Sequence, residues 1–108
     1  MSNLASKKCV PCEGGIPPLT GEEIQGLLRE IPEWRVVGEK KIVREFTFKS
    51  FPAAIDFVHR VADLAESEDH HPDIHIYYRR VALELWTHAI NGLSENDFIL
   101  ASKINLLF

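Results

Sequence analysis

The sequence changes from a helical pattern to a strand pattern within residues 66–88, which read ESEDHHPDIHIYYRRVALELWTH. The acidic run at 66–69 interrupts the apolar repeat of the preceding segment. Pro72 disfavours helical geometry at the residue before it, His71. We therefore predict that His70 and His71 lie at a corner between a helix and a strand.

The residues after this corner have the pattern of a β-hairpin. Apolar and polar side chains alternate with a period of two over 74–78 and 81–88, on either side of a predicted turn at 79–80. His88 falls on the same face as Trp86, at the end of the second strand and within reach of the corner. The positions predicted to face the helices are Ile74, Ile76, Tyr78, Val81, Leu83 and Leu85.

Three helices are predicted from capping sequences and apolar repeats. The capping box Thr20-Gly21-Glu22-Glu23 opens a helix of about three turns that stops at Pro32. Ser50 caps the longest helix. A second capping box at 94–97 opens the last helix.

A second hairpin completes the predicted fold. β-branched and aromatic residues at 34–37 and 41–48 are separated by a short polar segment at 38–40. The element order is then α-β-β-α-β-β-α. Two hairpins that form a four-stranded antiparallel sheet, with the helices on one face, make a two-layer α+β domain.

The longest helix carries more apolar surface than one sheet face needs. Besides its main stripe it has a second, narrower one formed by Phe57, Val61 and Leu64. This second stripe can pack on a neighbouring helix of the same chain or on another subunit. We expect the protein to form a homodimer or a homotetramer.

Composition limits the classes of function. A chain of 108 residues with 45% hydrophobic side chains suits one compact domain, which we place at 20–108 behind an irregular arm at 1–19. The net charge of −4 argues against a nucleic-acid or anionic-membrane partner, since both require clustered Lys and Arg. The start of the chain lacks a signal-peptide pattern, and no apolar run approaches the roughly 18 residues of a membrane span. We expect a cytoplasmic protein.

The arm contains the CxxC motif Cys9-Val10-Pro11-Cys12. Such a pair can act in redox chemistry, form a disulfide or supply half of a zinc site. The Gly and Pro residues at 14–18 disfavour the helix that usually follows a redox motif, and a structural zinc would need two further ligands. An arm without a special role and a metal or disulfide staple at Cys9 and Cys12 both remain open.

Titratable side chains are concentrated around the predicted corner. Of five histidines, His70 and His71 lie at the corner beside Glu66 and Asp69, and His88 lies where the chain returns. Imidazole suits acid and base catalysis at neutrality because its unperturbed pKa is about 6.5. Three histidines and a carboxylate can also bind zinc or iron, although adjacent histidines project in different directions. A metal-dependent hydrolase is therefore an alternative to an acid/base pocket.

The same residues carry a resemblance to a known family. The pattern is an acidic or basic residue, three spacers, His-His-Pro, an aromatic, a further His and an Asp. The matching residues here are Glu66, His70, His71, Pro72, Tyr78, His88 and Asp97. The chain thus resembles the pterin-4a-carbinolamine dehydratases, also known as the dimerisation cofactor of a homeodomain transcription factor. The resemblance covers about residues 20–104 and leaves the cysteine-containing arm outside.

The resemblance implies an enzyme, 4a-hydroxytetrahydrobiopterin dehydratase, a hydro-lyase. It would convert 4a-hydroxytetrahydropterin to quinonoid dihydropterin plus water in tetrahydrobiopterin recycling, with the pterin as substrate and no metal or organic cofactor. His70 and His88 would do the acid/base work, and His71 would bind and orient the pterin. The substrate-binding residues would be Glu66, Asp69, Pro72, Trp86, Thr87 and Ala89.

Asp97, Tyr78 and Trp34 also match the family, and each has a structural role that would explain its presence. Asp97 is the third residue of a capping box, which is a sufficient reason for a carboxylate there. Tyr78 and Trp34 are predicted to lie in the core or in a pocket wall. The resemblance also implies an alternative of another class, a protein-binding module that acts as a transcription-factor dimerisation cofactor.

Overall fold

The computed structural model describes residues 4–10 and 16–108, so Cys12 lies outside the described residues. The predicted element order α-β-β-α-β-β-α is confirmed. The helices and strands are α1 Gly21–Leu28, β1 Arg35–Val37, β2 Lys41–Thr47, α2 Phe51–Glu68, β3 Asp73–Tyr77, β4 Arg80–Leu85 and α3 Glu95–Asn105. Short 3-10 turns occur at Leu4–Ser6 and His88–Ile90.

The four strands form one antiparallel sheet in the order β1-β2-β4-β3. The helix-facing side of β2 and β4 is buried, as period-two alternation predicts; the buried residues there include Ile42, Phe46, Val81, Leu83 and Leu85. Ile76, also predicted to face the helices, is 40% exposed because it lies on the edge strand β3. Asp73, which opens β3, pairs with Glu84 near the end of β4. The corner before β3 and the residues that follow β4 therefore meet at one end of the sheet.

The second hairpin turns one residue earlier than the sequence predicts. Tyr78 and Arg79 form the turn, and Arg80 already belongs to β4. Tyr78 has a positive φ of 56° and is 69% exposed, stacked over Phe51 with ring centroids 6.4 Å apart. The placement of Tyr78 in the core or a pocket wall is wrong, because a two-residue turn directs its side chain outward.

The capping predictions are confirmed, with one change of helix length. The Thr20 hydroxyl accepts from the backbone N–H of Glu23, whose carboxylate accepts from the N–H of Thr20. The Ser50 hydroxyl accepts from the N–H of Ala53. α1 has eight residues, about two turns rather than three. Ile31 is nevertheless fully buried, because the loop after α1 folds back onto the core.

The second apolar stripe of α2 faces the core of its own chain. Phe57 and Val61 are fully buried, and Leu64 is packed against the core. The Phe57 ring lies 4.8 Å from that of Phe46 on β2. The prediction of a subunit contact at this stripe is wrong, because the stripe is what covers the sheet. The binding-module alternative, which the resemblance implies, stays a prediction.

The arm packs closely against α3 in the part that the structure describes. Leu4 is 2% exposed and belongs to the hydrophobic core. α3 is buried over most of its surface, with Phe98, Ile99 and Leu100 all covered. The boundary at 19/20 stays a prediction. Among the described residues, no helix has the length and apolar character needed to cross a bilayer.

Candidate active site

A cavity of about 450 Å³ lies where the α2–β3 corner, the residues after β4 and the start of α3 meet. The corner forms because Asp69 ends α2 in a left-handed conformation with a φ of 53°, and its N–H bonds to the carbonyl oxygens of Ala65 and Glu66. The residues that line the cavity are Val10, Asp69, His70, His71, Pro72, Asp73, Trp86, Thr87, His88, Ala89 and Asn96.

His70 contacts a buried carboxylate behind the cavity. Its Nε2 lies 2.6 Å from Oδ1 of Asp97, a residue with no exposed side-chain surface. Oδ2 of Asp97 accepts from the Thr87 hydroxyl and from the Ser94 backbone N–H, each at 2.9 Å. The Thr87 and Ser94 hydroxyls are 2.7 Å apart. Because Thr87 donates its one proton to Asp97, Ser94 donates to Thr87, and the polar atoms form one connected chain.

His71 contacts a different carboxylate at the surface. Its Nε2 lies 2.8 Å from Oε1 of Glu66, and the two side chains are 56% and 82% exposed. Glu66 lies in the last turn of α2 and does not line the cavity. Its contact with the cavity therefore runs through His71.

His88 stacks on Trp86 at the opposite side of the corner. The ring centroids are 3.8 Å apart with an interplanar angle of 26°. The indole N–H of Trp86 donates to Oδ2 of Asp73 at 3.1 Å, which holds the ring in place. His88 opens the 3-10 turn after β4 rather than ending the strand, because β4 stops at Leu85.

Most of the residues predicted for the site come together. The predicted residues on the cavity wall are Asp69, His70, His71, Pro72, Trp86, Thr87, His88 and Ala89. Asp97 contacts His70 from behind the cavity, and Glu66 contacts His71 at the surface. Tyr78 lies in the hairpin turn, and Trp34 is buried in the core, where its indole N–H donates to Asn105 at 2.8 Å.

Val10, Asp73 and Asn96 line the cavity and were not predicted to do so. Asp73 directly follows Pro72, so its position next to the motif was a usable signal. Val10 and Asn96 lie 86 positions apart, and the contact between them depends on the way the arm packs. Neither residue has a local pattern that points to the cavity.

The arm cysteine is poorly suited to act as a thiolate. Cys9 is half-buried, and burial, followed by the nearby charge of Glu68, raises the pKa of its thiol to about 12. Its Sγ donates to the carbonyl oxygen of Asn96 at 3.6 Å. Metal binding and redox chemistry both require the thiolate. Over residues 4–10 and 16–108, no group of three or more His, Cys, Asp or Glu is arranged to hold a metal ion.

Three comparisons with known proteins agree with the motif. A family model described as Pterin 4 alpha carbinolamine dehydratase matches residues 17–107. A protein of Rubrobacter xylanophilus, named "Putative pterin-4-alpha-carbinolamine dehydratase", is 50% identical over 107 residues, which are 99% of this chain and 100% of that protein. A transcriptional coactivator/pterin dehydratase from Brucella melitensis has a similar crystal structure. It gives a TM-score of 0.78 and 40% identity over 83% of this chain and 97% of that one.

A more distant solved structure is similar to this chain in fold only. It is a pterin dehydratase-like protein described as a RuBisCO assembly factor in the alpha-carboxysome, and it is 23% identical with a TM-score of 0.60. It covers 69% of this chain and 88% of its own. The resemblance read from the sequence is thus confirmed, and the chain belongs to the pterin 4 alpha carbinolamine dehydratase family.

Proposed function

We propose that this protein dehydrates 4a-hydroxytetrahydropterin to quinonoid dihydropterin, with His70 and His88 as the acid/base groups. Membership of the family and the names of its relatives support the reaction. The main support for His70 as an acid/base group is its contact, on the cavity wall, with the fully buried Asp97.

The reaction needs two proton transfers. The N5 lone pair forms the C4a=N5 double bond as the 4a-hydroxyl leaves with its bonding electrons. A proton must reach the departing oxygen so that it leaves as water, and another must be removed from nitrogen. Imidazole has both an acid and a base form available near neutrality, whereas an ordinary carboxyl group is seldom protonated there.

The contact with Asp97 prepares His70 for this chemistry. A carboxylate only accepts hydrogen bonds, so the proton between the two groups belongs to Nε2 of His70. Nδ1 is then the nitrogen that exchanges a proton with the substrate. Asp97 is itself held by Thr87 and Ser94, which limits rotation of the imidazole.

The other two histidines lie in different surroundings and take different parts. His88 is held by stacking on Trp86 and acts as the second acid/base group. His71 is exposed and oriented by Glu66, which suits binding and orientation of the pterin. The indole and imidazole rings offer flat surfaces that match the flat pterin ring.

The proposal includes no metal or organic cofactor. Activity should persist after exhaustive dialysis against a chelator, and activity that is lost on chelation and restored by zinc or iron would favour the metal-dependent hydrolase. Self-association, a cytoplasmic location and a role in tetrahydrobiopterin recycling stay predictions. Light scattering of the wild-type protein tests the first of them.

The decisive experiment generates the 4a-hydroxypterin in situ and follows the formation of quinonoid dihydropterin, with the spontaneous rate subtracted. The wild type is compared with His70→Ala, His88→Ala and a control, His59→Ala, whose exposed side chain on α2 does not line the cavity. We expect losses of about a hundredfold or more for His70→Ala and His88→Ala, and wild-type rates for the control. Equal rates for all four proteins would refute the assignment.

A further inference from the structure

Two consecutive residues of the arm connect the two segments that carry His70 and Asp97. The backbone N–H of Cys9 donates to Oε1 of Glu68 at 2.9 Å, two residues before His70. The backbone N–H of Val10 donates to Oδ1 of Asn96 at 2.9 Å, directly before Asp97. The arm thus bridges the end of α2 and the start of α3 at the cavity.

The anchor on the α2 side is a largely buried ion pair. Glu68 and Lys103 are 2.8 Å apart, with side chains 7% and 15% exposed. The hydrogen bond from Lys103, followed by that from the N–H of Cys9, lowers the pKa of the Glu68 carboxyl below its ordinary value. The acceptor for Cys9 is therefore charged and has little freedom to move.

The anchor on the α3 side uses both ends of an amide. Asn96 is 5% exposed, and its Nδ2 donates to the carbonyl oxygen of Val10 at 2.6 Å while its Oδ1 accepts from the N–H of the same residue. Both backbone groups of Val10 are satisfied by one side chain, as they would be by a neighbouring strand. This pairing sets the direction in which the Val10 side chain projects.

The side chain of Val10, which these hydrogen bonds hold in place, is apolar and mostly exposed. Val10 is 65% exposed and lies on the wall of the cavity. Three hydrogen bonds at Cys9 and Val10 keep it there, although most of its surface is exposed and its burial contributes little to the stability of the unbound protein. A flat ligand seated in the cavity would cover this side chain, and burial of an apolar surface favours binding.

We propose that Val10 is a substrate-contacting residue of the pterin cavity, and that Asn96 and Glu68 are positioning residues that hold it on the cavity wall. The inference rests on the proposed function and adds the arm to the site. Val10 supplies an apolar contact to the bound pterin and takes no part in proton transfer.

The test measures binding and catalysis separately in Val10→Arg, Asn96→Leu and the control Leu106→Arg. Leu106 is also an exposed apolar residue, at 76%, and lies in no described cavity. Binding of 7,8-dihydrobiopterin is measured by titration calorimetry, KM and kcat by the dehydration assay, and Tm by calorimetry. We expect Val10→Arg to raise Kd and KM by about tenfold or more, with kcat little changed. Asn96→Leu should raise Kd and KM less, and Leu106→Arg should leave both unchanged.

The outcomes separate the two proposals. If the wild type binds no dihydropterin and has no activity, the proposed function fails and this inference fails with it. If the wild type is active and Val10→Arg and Asn96→Leu both keep its Kd and KM, the inference alone is overturned. A purely structural arm would lower the Tm of Asn96→Leu and leave Kd of the folded protein unchanged, which would also overturn it.

Discussion

Two adjacent histidines each contact a carboxylate, and the two contacts differ in burial. His70 and Asp97 are 12% and 0% exposed, whereas His71 and Glu66 are 56% and 82% exposed. Both pairs have similar lengths, 2.6 and 2.8 Å. The difference lies in the surroundings, since Asp97 is held by two further donors and Glu66 is surrounded by solvent.

Chain topology explains why neighbours in sequence have such different partners. Glu66 is five positions from His71, so this pair forms within one corner of the chain. Asp97 is 27 positions from His70 and is brought to it only when α3 packs beside α2. A buried pair of this kind acts as a unit, whereas an exposed pair is screened by water and contributes little.

The largest expected effect comes from removing the buried carboxylate. Asp97→Ala leaves His70, the Thr87 hydroxyl and the Ser94 N–H without their acceptor. We expect the free energy of unfolding to fall by about 3 to 5 kcal/mol, measured by urea denaturation. A loss below about 1 kcal/mol would mean that water enters and replaces the carboxylate, and that the pair is not buried in solution.

A smaller effect is expected from the exposed carboxylate. Glu66→Gln keeps an oxygen that can accept from His71 and removes only a screened charge. We expect unfolding free energy to change by less than about 1 kcal/mol and KM to rise by a few-fold at most. Urea denaturation and the dehydration assay provide both numbers. A loss equal to that of Asp97→Ala would remove the distinction between the two pairs.

Glu68 is a third carboxylate near the corner, and its contribution to the free energy of unfolding depends on pH. The pKa of Glu68 is lowered in the folded protein, chiefly by Lys103, so its contribution to stability is present above its ordinary value of 4.5 and is lost as pH falls through the lowered value. We expect Glu68→Gln to be less stable than the wild type at pH 7, with the difference shrinking below pH 4.5. Urea denaturation at several pH values measures it.

The matched variant for this prediction is Lys103→Met, which removes the ion-pair partner and the largest cause of the lowered pKa and leaves the hydrogen bond from the N–H of Cys9. It should lose most of the same pH-dependent part of the stability. A constant difference between the wild type and Glu68→Gln across the acidic range would contradict the linkage.

Local patterns were enough to predict the fold, and the misses have physical causes. The capping boxes at Thr20 and Ser94 and the alternation along β4 depend only on neighbouring residues, so the sequence contains them. The apolar residues of α2 form two stripes, and nothing local shows which of them faces the sheet. The sequence predicts the second hairpin turn at Arg79-Arg80 because both residues are polar. The turn lies one residue earlier, with Tyr78 at the positive φ.

The candidate site was predicted as far as the motif extends. The residues around His70 and His88 were found because the corner and the end of β4 meet at one end of the sheet. The contact between Asp97 and His70 was not predicted, because a capping role already explained the carboxylate. The contact also depends on packing between helices. The contact of Val10 with Asn96 was missed for the same reason.

The most direct test is a pair of double-mutant cycles on kcat/KM for dehydration. One cycle combines His70→Ala with Asp97→Asn, and the other combines His71→Ala with Glu66→Gln. If His70 and Asp97 act as one catalytic unit, the double variant should be about as slow as His70→Ala alone. In the second cycle Glu66→Gln has little effect by itself because the pair is exposed, so its coupling with His71→Ala should be small. Additive losses in the first cycle would contradict the account.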